Sequence, residues 1–195
     1  MKFLDGNYRK LFKCLIGKLR FNVREEVYRA LVFRRKEELI KSNELLMTLV
    51  EEFPNDAYIN FQCASSLDML GEEVKAAPLY EKAIKLGLSG KDLEKAIIGL
   101  GSTYRTIGEY EKSRIVLEKG IKQFPDNKVI TVFYSMTLYN LKEHQAAMEL
   151  LLTCLMETTE DSDILSYQKA IDFYLRGVTK SPVSSGGSKC HQASK

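Results

Sequence analysis

An all-α solenoid of about four antiparallel helix pairs is the fold class this sequence predicts, and three observations predict it. The chain of 195 residues repeats a pattern of small and large side chains every 34 to 37 positions. Glycine and proline punctuate that pattern where one helix must stop and the next begin. Alanine, serine and glycine recur where two helix backbones would have to approach closely.

The clearest copy is "LGSTYRTIGEYEKSRIVLEKGIKQFPDN", residues 100–127. It places Gly101, Tyr104, a turn at Gly108, then Ser113, Leu117, Gly120 and Pro125. One repeat earlier stand Ala64, Leu67, Gly71, Ala76, Tyr80 and Ala83. One repeat later stand Ser135, Leu138, Lys142, Ala147, Leu151 and Cys154, with lysine in the turn. The first copy has Ala30, Phe33, Ser42, Leu46 and Leu49, closed by Pro54, and lacks a turn glycine near Lys36–Glu37. The phrases "EFPND" (52–56) and "QFPDN" (123–127) mark two joints. A third joint, "LGLSGKD", is three residues longer. Gly87 should end a helix there and Ser89 cap the next, with Asp92 in its first turn. Pro78 lies within a second helix and removes one backbone bond.

This spacing resembles the tetratricopeptide repeat over roughly residues 23–156, and "LGEEVKAAPLYEKAIKLGLSGKDLEKAIIGLGSTYRTIGEYEKS" (70–113) is similar to a bacterial subgroup with a longer joint. The resemblance implies a right-handed superhelix whose concave side, lined by the first helix of each pair, grips a protein or peptide.

Both ends read as additions to the repeats. Residues 1–22 hold a basic amphipathic helix, with Leu4, Tyr8, Leu11, Phe12, Leu15, Ile16 and Leu19 on one face. It either caps the first repeat or, with the rest of residues 2–36, contacts an anionic membrane surface or nucleic acid. The repeat domain spans 23–177 and closes on "DILSYQKAIDFYLR" (163–176), with Asp161, Ser162 and Asp163 as candidate caps, Gly177 as the stop, and Ile164, Tyr167, Ile171 and Tyr174 as its packing face. The polar tail 178–195 reads as disordered.

Charge is uneven. Residues 1–36 carry a net +8, residues 37–177 a net −8 and the tail +3. Cys14, Cys63, Cys154 and Cys190 show no paired spacing, which fits free thiols and a cytoplasmic setting. No apolar run approaches the roughly 20 residues of a membrane-spanning helix.

Little in the sequence suggests chemistry. "GLSGKD" lacks the glycine and hydroxyl residue of a phosphate loop, and "GLGSTYR" lies inside a helix rather than after a strand. His144 reads as packing or solvent-facing, and His191 beside Cys190 makes too few ligands for zinc. The expectation is a protein that is not an enzyme and carries no metal or cofactor.

The candidate site is therefore the groove. By helical period its residues are Tyr58, Phe61, Ser65, Asp68 and Met69 in the second repeat. The third contributes Lys95, Ile98, Ser102, Arg105 and Thr106, and the fourth Val129, Val132, Met136, Tyr139 and Asn140; a shift of one residue in register would instead place Phe61, Ile98 and Val132 in the core. Lys95 and Arg105 are expected to hold a ligand carboxylate together. A chaperone-type carboxylate clamp is not expected, because the first helix offers Val27 and Leu31 at the matching places.

Overall fold

The structure, a computed structural model, describes residues 23–178. Ten helices follow one another within that span, and no strand occurs among the described residues. They are α1 (23–35), α2 (Leu39–Glu52), α3 (Ala57–Met69), α4 (Glu73–Lys85), α5 (Gly90–Thr106), α6 (Tyr110–Gln123), α7 (Lys128–Asn140), α8 (His144–Thr158), α9 (Ser162–Ser166) and α10 (Gln168–Val178). The amphipathic segment 1–22, with most of the basic 2–36 contact, and the tail from 179 onward lie outside the described residues.

Each pair turns on the same backbone device. The second residue past the first helix lies in the left-handed region, and the amide of the third bonds back across the last turn. The returning bonds are Glu38 to Phe33, Glu72 to Leu67, Glu109 to Tyr104 and Glu143 to Leu138, all at 2.8–3.0 Å. Gly71 (φ 75°) and Gly108 (φ 83°) occupy the left-handed position where the sequence supplies glycine. Where it does not, Glu37 (φ 62°) and Lys142 (φ 67°) adopt the same conformation. The fold thus imposes the turn on side chains that disfavour it.

The joints between pairs also follow local chemistry. Pro54 and Pro125 fall just past α2 and α6. The last residue of each joint phrase then caps the next helix, Asp56 accepting from the Ile59 amide at 3.0 Å and Asn127 from that of Val129 at 3.1 Å. At the long joint Gly87 stops α4 with φ 92°. Ser89 sits at the N-terminal boundary of α5, but its side chain makes no capping bond, contrary to expectation.

Packing explains the small residues. Ala30, Ala64, Ser135, Ser42, Ala76, Ser113 and Ala83 are all fully buried. A Cβ on Gly101 would fall 2.5 Å from Leu117, and one on Gly120 would fall 2.7 Å from Ile97. Both glycines therefore exist to let a large neighbour through. Gly99 does the same for Tyr80, whose ring would lie 2.6 Å from its Cβ, although the repeat pattern gave no reason to expect it.

The first helices sit closer together than the second ones. α3 packs directly on α5, and α5 on α7, while α4, α6 and α8 make no comparable contact with one another. Such a stack curves toward its first helices, which line the inner side.

The closing helix departs from expectation. Asp161 does cap it, accepting from the Asp163 and Ile164 amides at 3.0 Å. The helix then breaks at Tyr167 into α9 and α10, and α10 runs through Gly177 to Val178 rather than stopping there. Tyr167 is 68% exposed, so Ile164 and Ile171 pack without it.

Candidate partner-binding groove

Counting back from the turn aligns the inner face of every repeat. Three residues before Glu37, Gly71, Gly108 and Lys142 stand Arg34, Asp68, Arg105 and Tyr139. These four side chains form a row that crosses the groove from α1 to α7. The first of them was not expected, because the weak first repeat hid its register.

Arg34, Asp68 and Arg105 are each held by a neighbouring first helix. Arg34 reaches α3, where Nη1 donates to Gln62 Oε1 at 3.0 Å and to Ser65 Oγ at 3.5 Å, and Nη2 donates to the Gln62 carbonyl at 2.8 Å. The Asp68 carboxylate accepts from the Thr103 hydroxyl of α5 at 2.9 Å and from the Tyr80 hydroxyl at 3.5 Å. Arg105 donates to Asn140 Oδ1 of α7 at 3.5 Å. The exposed Tyr139 ring lies tilted against His144 at 4.7 Å, and that histidine is also solvent-facing.

Burial tunes this row. It pushes the Asp68 carboxyl above the usual carboxylate range, and the Thr103 hydrogen bond only partly opposes that shift. Burial also draws the Arg34 guanidinium below its usual value. Tyr80 comes from the second helix α4 and passes under Gly99 to reach Asp68; desolvation pushes its phenol well up. Gln62, Thr103 and Tyr80 were therefore missed by a reading confined to outward positions of single helices.

The remaining expected groove residues divide by depth. Tyr58, Met69, Lys95, Thr106 and Val129 are exposed on the inner helices. Ser65, Ser102, Val132, Met136 and Asn140 are half-buried. Ile98 is half-buried and packs against the core. Phe61 is a correction: at 5% exposure it belongs to the core, its ring 6.3 Å from both Tyr58 and Tyr80. Its place in the groove is as support beneath Tyr58. Lys95 and Arg105 both lie on α5, ten positions apart, which is about 15 Å along a helix, so a shared carboxylate requires both side chains to extend toward each other.

At its α1 end the inner face opens into a cavity of about 530 Å³, bordered by Arg24, Tyr28, Leu31 and Tyr58. Among the described residues, no group of three or more histidine, cysteine or acidic side chains is placed to hold a metal. No helix among them is long and apolar enough to cross a membrane.

With this geometry in view, a family model described as the tetratrico peptide repeat matches residues 57–178. The chain belongs to the tetratricopeptide repeat family. Solved structures with the same fold include YrrB, described as a TPR protein with an unusual peptide-binding site. YrrB is 12% identical with a TM-score of 0.62, over 87% of this chain and 85% of that one. MamA from Desulfovibrio magneticus RS-1 is 14% identical with a TM-score of 0.63, over 80% and 90% of the two chains. Another MamA structure is 18% identical with a TM-score of 0.62, over 76% and 79%. No curated protein matches the sequence. The matched residues include α3, α5 and α7, three of the four first helices on the inner face.

Proposed function

We propose that this tetratricopeptide repeat chain is a non-enzymatic interaction module that grips a peptide or protein segment on its inner face. One observation carries the reading. Tyr58, Met69, Val129 and Tyr139 stay exposed on the inner helices, beside polar groups already fixed by their neighbours. Exposed apolar side chains on a rigid, preorganised surface favour association over solvation. The groove residues of the proposal are those given above, with Phe61 as their support and Arg34 added. The peptide-binding site named for YrrB, on the same fold, lends support by analogy. A cytoplasmic setting accords with the free thiols Cys63 and Cys154, both buried.

The experiment compares partner recovery from the native cell by wild type, Arg105→Glu and Tyr139→Ala. Both substitutions are expected to lower recovery several-fold while leaving the circular dichroism spectrum unchanged. Undiminished recovery with both variants would place the binding surface elsewhere.

A further inference from the structure

Charge on the inner face runs against the charge of the domain. Residues 23–177 carry a net −5, yet the inner helices present Arg24, Arg34, Lys95 and Arg105 against Asp68, with Asp92 at the edge beside Tyr58. Several acids elsewhere are paired with a nearby base. Glu38, Glu72 and Glu109 pair with Lys41, Lys75 and Lys112 one helical turn on, and Glu143 pairs with Arg114. Arg34 and Arg105 differ. Among the described residues neither Arg34 nor Arg105 forms an ion pair, and each is positioned by neutral groups, Gln62, Ser65 and Asn140. Each also keeps a buried Nε without a hydrogen-bond partner. A half-buried guanidinium that has lost water and gained no counter-ion is held ready for an anion.

We infer that the groove takes an acidic peptide segment, with one carboxylate on Arg34, a second on Arg105, and apolar side chains between them. This rests on the groove reading proposed above. α1 and α5 stand two packed helices apart, about 20 Å at 8–10 Å per helix. An extended peptide rising about 3.3 Å per residue covers that distance in roughly six residues. The acids of the partner are therefore spaced by about six positions. Asp68 lies between the arginines, with its carboxylate engaged by Thr103 and Tyr80. An acid in that place disfavours a nucleic acid, whose phosphates repeat at every step. The chain's own N-terminal segment is also a poor occupant, because residues 1–22 carry six basic side chains and one acid.

The test uses the full chain and fluorescein-labelled peptides of leucine, tyrosine and serine carrying two glutamates at graded spacings, read by fluorescence anisotropy at low and moderate salt. The best glutamate peptide is expected to bind roughly tenfold tighter than its glutamine counterpart, with an optimum near a spacing of six. Arg105→Gln should abolish that difference. Arg34→Lys keeps the charge but loses the fork that Gln62 holds, and should weaken binding without loss of helicity. Equal affinity for glutamate and glutamine peptides, still lost in Tyr139→Ala, would overturn the acidic preference while leaving the groove reading intact. Binding of every peptide unmoved by all three substitutions, or no binding at all, would overturn both. Tighter binding of a labelled oligothymidylate, or of a peptide of residues 1–22, would replace the acidic segment with that occupant.

Discussion

At Gly101 a single hydrogen atom separates a well-packed repeat from an overfilled one. Leu117 is fully buried and lies 2.5 Å from where a Cβ would stand. Gly101→Ala should cost about 1–3 kcal/mol and Gly101→Leu more, measured by urea unfolding. A midpoint unchanged by either would contradict the packing described here. The turns offer the opposite experiment. Lys142 holds φ 67° at a place glycine fills in other repeats. Lys142→Gly removes a left-handed strain of about 1–2 kcal/mol and adds unfolded-state entropy of about 0.4–1 kcal/mol. A net gain of a few tenths to about 1 kcal/mol is expected, seen as a higher melting midpoint. Asp68 gives a pH signature. Its folded pKa is raised by burial, so the folded state binds the proton more tightly than the unfolded chain. Its contribution is most favourable below the ordinary carboxylate pKa and is lost as pH rises through the raised value. Wild type should therefore compare better with Asp68→Asn at pH ~3 than at pH ~7. An equal difference in melting midpoint at both would refute the shift.

Helix pairs are joined by polar bridges as well as apolar contacts. Ser113 of α6 is fully buried, donates to the Gly101 carbonyl of α5 at 2.7 Å, and lies 2.9 Å from the Thr137 hydroxyl of α7. One serine thus links three helices across two repeats. Ser113→Ala should cost about 1 kcal/mol, because it removes a buried hydrogen bond between helices; a loss below a few tenths in chemical unfolding would show the bridge to be incidental. The same scale shows where sequence reading stopped. The second helices read well, because one buried stripe at 3.6-residue spacing faces the rest of the stack. α3 read badly. Residues 59–64 are buried without interruption, since α2, α4 and α5 all pack around it. A helix enclosed on several sides carries no amphipathic stripe, and that is why Phe61 was placed in the groove although it belongs to the core.

The whole molecule is a stack in which each pair is stabilised by its neighbours. Burial is deepest in α3 and α5 and thins toward the C-terminal end, where α8 buries Ala147 and Cys154 and α9 buries nothing. Hydrogen exchange should follow that gradient, slowest in α3 and α5 and fastest in α9 and α10. Uniform protection along the chain would mean that the stack unfolds as one unit. The sequence by itself determined the repeat, the turns and the small residues that let helices nest, because steric exclusion between adjacent helices recurs at a fixed period and writes itself into the residue pattern. Only the tertiary structure decided which polar groups the groove presents. Tyr80 enters from a second helix, Arg34 from a degenerate first repeat, and the missing counter-ion of Arg105 is a relation between helices. Those facts depend on how far side chains reach across neighbouring repeats, and no periodicity within one helix records that distance.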